Sequence, residues 1–268
     1  MVRRFDYVIV GGSAGAVGCI EALRAVDRGG TIALIGEEGD RIYSRALIPY
    51  YLGGAIPREG MLYRPPDFCA GMGVVTYAGR RAVGLDPARK TVTLDGGEEV
   101  QYGKLLLATG GRAVVPPVPG LDKKNVFTFV NMADALALAE TLPTARAAVV
   151  LGGGVMGLMA AETLKRRGLS VTVVELAPRV LAPVVDETAS AMVEELFRAK
   201  GVPVRTGTTL TRVLGDGRAE AVVLTGGETV PCDVVVVAAG VVPRVELARA
   251  AGIAVNRGIL VNEKMQTS

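Results

Sequence analysis

The sequence predicts an α/β fold built from two copies of one strand–turn–helix unit, the second inserted into the first. Three observations point there. Two aliphatic runs end in glycine-rich turns about half a chain apart: Val8-Ile9-Val10-Gly11-Gly12-Ser13-Ala14-Gly15-Ala16 and Val149-Val150-Leu151-Gly152-Gly153-Gly154-Val155-Met156-Gly157. Each turn has its own downstream block at a similar offset. Gly96-Gly97-Glu98-Glu99-Val100 leads through Lys104 and Leu105-Leu106-Leu107 to Ala108-Thr109-Gly110, while Gly226-Gly227-Glu228-Thr229-Val230 leads through Asp233 to Val237 into Ala238-Ala239-Gly240. Such paired similarity argues for duplication of one unit. Finally, a chain of 268 residues that is 50% apolar can fill the cores of two medium domains.

The elements follow from pattern and punctuation. Residues 6–10 read as a buried parallel strand and 14–26 as the helix after it; Gly29-Gly30 breaks the chain before a second strand at 31–35. Residues 41–64 read as a helical excursion, ended by Pro65-Pro66. Short β-segments are expected at 74–77, 82–85, 91–94 and 99–104, with 105–108 returning to the parallel sheet. The proline-rich stretch 114–120 cannot continue a sheet and reads as a crossover. Beyond it come a helix at 133–142, a strand at 147–151, a helix at 155–167, a strand at 170–174 and an amphipathic helix at 188–200. The domains expected are 1–114, the inserted 115–243, and a return segment 244–268 that completes the first.

A strand feeding a glycine turn and then a helix aims free backbone N–H groups and the positive helix end at one spot, which suits a pyrophosphate. Both units are therefore expected to be Rossmann-like dinucleotide-binding domains. The second turn matches G-x-G-x-x-G at Gly152, Gly154 and Gly157, and Glu175 follows 23 residues after the first glycine, at the end of its strand. A carboxylate there bonds a ribose 2′-hydroxyl and repels a 2′-phosphate, favouring NADH over NADPH; Arg179 could soften that preference. The first turn, Gly11-x-Ser13-x-x-Ala16, is less regular. Its serine hydroxyl must turn aside from a phosphate or bond to it. Glu37 and Glu38 lie just past the second strand, also at a ribose position.

Composition removes other classes. Thirty basic against 27 acidic residues give +3 without a basic run, so no nucleic-acid footprint is present. Cys19, Cys69 and Cys232 are far apart and odd in number, so neither a disulfide framework nor a metal or redox pair is expected, and a reducing cytoplasm is the default setting. No apolar run approaches the ~18 residues of a membrane span. Histidine is absent, which removes the commonest metal ligand and neutral-pH base. Chemistry is then left to a bound cofactor.

On these residues, with Tyr43-Ser44-Arg45 and Ala238-Ala239-Gly240-Val241-Val242-Pro243, the chain resembles the pyridine-nucleotide-disulfide oxidoreductase superfamily, nearest its NADH-dependent rubredoxin, ferredoxin and nitrite reductase flavin-domain branch. The resemblance implies FAD on the first unit and NADH on the second. Gly11, Ser13, Ala14, Gly15 and Ala16 would cradle the FAD pyrophosphate, Glu37 and Glu38 its ribose; Arg45, Ala82, Ala108, Thr109 and Gly110 would complete the site. Gly152, Gly154, Val155, Met156, Gly157 and Glu175 belong to the NADH unit, and Gly240 is a further cofactor-binding candidate. Where some relatives carry a lysine and a glutamate near the flavin, this chain has Tyr50 and Met159, which makes Tyr50 the candidate catalytic neighbour. The disulfide-using members have a cysteine shortly after the Tyr43 position; here Ser44, Arg45 and Ala46 stand there, so electrons are expected to leave for a small electron-transfer protein or redox partner subunit. The closing motif that in relatives follows the segment 258–268 is absent, so the chain reads as lacking its C-terminal part, and a homodimer is an expectation for the full-length protein only. The alternative reading is a non-catalytic nucleotide-binding module of a larger redox complex.

Overall fold

The structure is a computed structural model and describes residues 2–39 and 41–268. The chain opens with β1 (Arg3–Val10), α1 (Ala14–Val26) and β2 (Ile32–Gly36). Short helices α2 (Ile48–Leu52) and α3 (Phe68–Gly71) precede β3 (Val74–Ala78), β4 (Ala82–Asp86), β5 (Thr91–Leu94), β6 (Glu99–Leu107) and β7 (Gly111–Ala113). Then come β8 (Val126–Thr128), α4 (Met132–Thr141), β9 (Ala147–Leu151), α5 (Val155–Arg166), β10 (Ser170–Val174), α6 (Glu187–Ala199) and β11 (Val204–Arg205). The chain continues through β12 (Leu210–Leu214), β13 (Ala221–Leu224), β14 (Thr229–Pro231), β15 (Val234–Val237), β16 (Val241–Pro243) and α7 (Glu246–Ala250). The stretches expected at 99–104 and 105–108 form one strand, β6, because nothing in it breaks the ladder to β1.

The chain divides into two units: Met1–Ser44 with Glu59–Arg112 and Val242–Ser268, and Arg45–Arg58 with Ala113–Val241. In the first, the sheet runs β3-β2-β1-β6-β5-β4; the first four strands are parallel, and β5 and β4 are added antiparallel. β2 is buried along all five residues, as a central parallel strand covered on both faces must be. α1 buries Ala16, Val17 and Ile20 against Ile9, Ile32 and Leu34, the spacing of one helix face. The opposite sheet face packs Val8, Val10, Ala33 and Ile35 against Val92, Leu94 and Val100.

The second unit repeats the plan with an all-parallel sheet, β11-β10-β9-β15-β8, and adds the antiparallel sheet β12-β13-β14. The order β11-β10-β9-β15 matches β3-β2-β1-β6 strand for strand. Between β9 and β8 lies β15, four consecutive buried valines, whose branched side chains fit a doubly covered strand. Duplication extends to the hairpins. Leu94 N–H donates to the Glu98 carbonyl at 2.8 Å and Gly97 N–H to Leu94 at 2.9 Å; Leu224 and Gly227 repeat both bonds with Glu228 and Leu224 at 2.8 and 3.0 Å. All four hairpin glycines have positive φ, 86–95°, which is why glycine occupies them.

Several carboxylates are tied to the backbone. Amides at Thr31, Gly30 and Arg146 hold Asp6, Asp27 and Asp233 below the usual carboxylate range, and the Arg80 guanidinium does the same for Asp95. Because these folded values lie below the unfolded ones, their stabilisation is complete above about pH 4 and is lost as pH falls through the depressed values. With no histidine, the thermal midpoint is expected to stay level between about pH 5 and 7 and to drop below about pH 4. A slope across the neutral range in a thermal-melt series would contradict this.

Candidate functional site

In each unit the glycine turn sits where the chain reverses the order of strand addition, at the carboxyl ends of the parallel strands. Gly11 has φ +118°, and its N–H donates to the Ile35 carbonyl at 2.9 Å; Ala108 N–H donates to Val10 at 2.8 Å. A Cβ at Gly11 would lie 2.0 Å from the Ala108 carbonyl oxygen. Gly152 reproduces each feature: φ +119°, N–H to Val174 at 2.8 Å, Ala238 N–H to Leu151 at 2.7 Å, and an added Cβ 2.3 Å from the Ala238 oxygen. The strand on the far side of each turn therefore closes directly over it, which only glycine permits.

The helices after these turns start bare. Ser13 is the N-cap of α1 and Gly154 that of α5; neither makes a side-chain cap bond, and neither helix has an acidic residue in its first turn. The other two long helices are capped. Asn131 and Asp134 form a reciprocal capping box on α4, and the Asp186 carboxylate accepts from Ala189 N–H on α6. A helix start leaves four N–H groups without an intrahelical partner. Where α4 and α6 satisfy one or more of them with a side chain, α1 and α5 leave theirs without one.

The third glycine position separates the two turns. A Cβ at Gly157 would meet the Gly152 carbonyl oxygen at 1.9 Å, whereas Ala16 carries its Cβ fully buried. Helix α5 is thus seated closer to its turn than α1. Glu175 folds back on that turn: its carboxylate accepts from Gly153 N–H at 2.5 Å and Ala177 N–H at 2.6 Å. A carboxylate has about four acceptor positions, so the two bonds fix it while leaving further lone pairs open. Arg179 is committed elsewhere, donating to the carbonyls of Val185 at 2.7 Å and Ala182 at 3.0 Å. Val155 and Met156 open the helix beside Gly154, and Gly240, at φ +115°, accepts from Val114 N–H at 2.9 Å.

The first unit holds a cavity of about 340 Å³ at the same end of its sheet. Gly11, Glu37, Ala82 and Thr109 line it, together with Arg80, Arg81, Arg112, Arg244, Glu246 and Leu247, which local sequence patterns do not mark. Thr109 Oγ1 donates to the Arg244 carbonyl at 2.7 Å, Gly110 accepts from Arg244 N–H at 2.9 Å, and the Arg244 guanidinium pairs with Glu37. Arg112 lies 3.4 Å from Glu246, and Arg80 is bound to Asp95 at 2.9 Å. Ala14 and Gly15 open α1, with Gly15 against the Ala108 side chain. Glu38 is not on the cavity wall; it accepts from the Tyr43 hydroxyl.

Arg45 begins a short 3-10 turn and, with Tyr50, falls in the stretch that clusters with the second unit. There α2 packs on α5, the Thr163 hydroxyl donating to the Pro49 carbonyl at 3.2 Å. Ile48, Pro49 and Leu52 are buried while Tyr50 is 46% exposed. Tyr50 is therefore a surface group and not core packing. Among the described residues no His, Cys, Asp or Glu cluster could hold a metal ion, and no helix is long and apolar enough to cross a membrane.

The thiols look inert. Burial pushes Cys232 up to about 12, and it also raises Cys19 and Cys69. Thiolate is the reactive form, so native-state alkylation at neutral pH is expected to leave Cys232 unlabelled and any NADH-driven turnover intact. Rapid labelling of Cys232, read by mass spectrometry, would contradict its burial.

Two glycine turns, each feeding a bare helix start at a strand-order switch point, define a protein with two dinucleotide folds. The chain belongs to the pyridine nucleotide-disulphide oxidoreductase family, whose model matches residues 5–268. It is 36% identical over 266 residues to a ferredoxin–NAD(P)+ reductase of a Sphingomonas species, covering 98% of this chain and 64% of that one. It is 34% identical over its full length to the epsilon subunit of an NADH-dependent phenylglyoxylate dehydrogenase of Aromatoleum evansii, spanning 63% of that subunit. Among solved structures, the covalent putidaredoxin reductase–putidaredoxin complex superposes with TM-score 0.93 at 32% identity, over 98% of this chain and 65% of that one. The chain thus spans under two thirds of the length of these relatives.

Proposed function

We propose that this chain is the FAD- and NADH-binding portion of a flavin-dependent NADH oxidoreductase that delivers electrons to a separate small redox protein. The observation that carries this reading is the contrast in helix starts: α4 and α6 are capped from within, whereas α1 and α5, the two helices after glycine turns, are not. Such starts, with backbone too close for any side chain, fit a pyrophosphate in each unit. Bound together, the two cofactors would supply hydride transfer from nicotinamide to flavin. The protein's own part is to bind and orient. Gly11, Ser13 and the first turn of α1 hold one pyrophosphate, with Glu37 at the adenosine ribose and Ala82 beside the adenine. Gly152, Gly154 and the first turn of α5 hold the other.

An external acceptor is favoured because Ser44, Arg45 and Ala46, and no cysteine, follow Tyr43 in sequence, where the disulfide-using members carry their thiol, and because Cys19, Cys69 and Cys232 are all free and partly or fully buried. The named ferredoxin and putidaredoxin reductases point to a small iron–sulfur or rubredoxin-like carrier. A cytoplasmic setting, and a homodimer of the whole protein, complete the reading. The test is anaerobic addition of NADH to the native, full-length protein: flavin absorbance is expected and is expected to bleach. A protein purified without flavin and unresponsive to NADH would overturn the proposal.

Nucleotide choice follows from Glu175 and Arg179. Substituting Glu175→Ala removes the carboxylate that bonds Gly153 and Ala177 N–H. The KM for NADH is expected to rise about tenfold, a loss of one to two hydrogen bonds to a charged group, and the preference over NADPH to shrink. Unchanged selectivity between the two nucleotides in steady-state kinetics would contradict this role.

A further inference from the structure

We propose that Arg244 positions Glu37 and supplies the second half of a two-sided clamp for a ribose diol in the cavity of the first unit. The inference rests on the reading that this cavity takes the adenosine end of a dinucleotide. Three observations lead to it. Arg244 is held by its backbone on both sides of the closing turn: its N–H donates to Gly110 at 2.9 Å, and its carbonyl accepts from Thr109 Oγ1 at 2.7 Å. Its guanidinium then reaches across to Glu37, and among the described residues it bonds to no other side chain. Both side chains line the cavity and are 38% and 47% exposed, so the pair adds little to folding stability and is salt-screened.

An ion pair that contributes little to folding, yet ties a binding-site wall to a carboxylate expected at a ribose, has its consequence in binding. A carboxylate alone only accepts hydrogen bonds, whereas a guanidinium offers five donors in a fixed plane. With one N–H group on Glu37, the remaining donors can face the cavity. The diol then finds an acceptor for one hydroxyl and a donor for the oxygen of the other. Arg80 and Arg112 are paired with other carboxylates, Asp95 and Glu246, at 2.9 and 3.4 Å, so neither positions Glu37. Pro243 fixes its own φ and restricts Val242, which stiffens the chain leading into Arg244.

The experiment is calorimetric binding of ADP and of its 2′,3′-dideoxyribose analogue to the purified chain and to Arg244→Gln, Glu37→Gln and the double variant. Arg244→Gln is expected to weaken ADP about tenfold, the loss of one charge-assisted hydrogen bond, and to leave the dideoxy analogue unchanged. Glu37→Gln should behave alike, and the double variant should lose no more than about the worse single one, as coupled partners do. A purely structural role would weaken both nucleotides equally. Equal loss for both, or no loss for ADP, overturns the role of Arg244 and leaves the adenosine reading intact. If the unaltered chain fails to bind ADP at all, that underlying reading falls, and the inference with it.

Discussion

Replacing Gly157 by alanine is expected to lower NADH affinity at least tenfold while leaving flavin binding in place. The added Cβ would stand 1.9 Å from the Gly152 carbonyl oxygen and 2.9 Å from its carbonyl carbon. Both are backbone atoms of the turn that presents N–H groups to the pyrophosphate, so neither can rotate away. Helix α5 must slide outward, and its first turn moves with it. Overpacking of this kind costs about 1–3 kcal/mol, and each 1.4 kcal/mol directed at the site is a factor of ten in affinity. The first unit supplies the control, because Ala16 already occupies the corresponding place, buried and without a clash. Ala16→Gly should cost only about 1 kcal/mol of helix propensity and leave NADH binding alone. If Gly157→Ala binds NADH as tightly as the parent in a fluorescence titration, the close seating of α5 is not what shapes that site.

The other large effect is expected at Gly11→Ala. Two penalties coincide there. The backbone sits at φ +118°, a region closed to ordinary side chains, and a Cβ would come within 2.0 Å of the Ala108 oxygen. Strain of about 1–3 kcal/mol adds to a similar overpacking cost. The turn is also a junction: Gly11 N–H bonds Ile35, and Ala108 N–H bonds Val10, so displacing either opens three parallel strands at their site-forming ends. The variant is expected to melt at least about 4 °C lower, on the scale of 2–4 °C per kcal/mol for a domain of this size, and to retain no FAD. A variant that keeps both its melting point and its flavin would mean that the turn is more pliable than its contacts imply.

Much of this was legible in the residues because the signals are local. A Gly with no room for Cβ, an apolar run and a strand-end acid are each short patterns, and they place α1, β9, α5 and β10 within a residue, whereas β1 begins three residues before the expected 6–10, at Arg3. The helix starts at 132 and 187 were read one residue late, although Asn131 and Asp186, the residues that cap them, stand just before. The cavity's arginines were not legible. Arg244 and Glu246 meet Glu37 and Arg112 only because the chain returns to the first sheet after more than a hundred residues, and no periodicity encodes that return. The same holds for residues 45–58, which precede most of the first sheet in sequence yet cluster with the second unit through α2 and α5. A helical excursion announces that it leaves the sheet, not where it goes.

The central claim is that each unit carries its own dinucleotide site. It is tested most directly by calorimetric titration of the chain with FAD and with NADH, first separately and then each in the presence of the other. One FAD and one NADH per chain, with neither displacing the other, is the predicted result. A single shared site from which each nucleotide expels the other would contradict it.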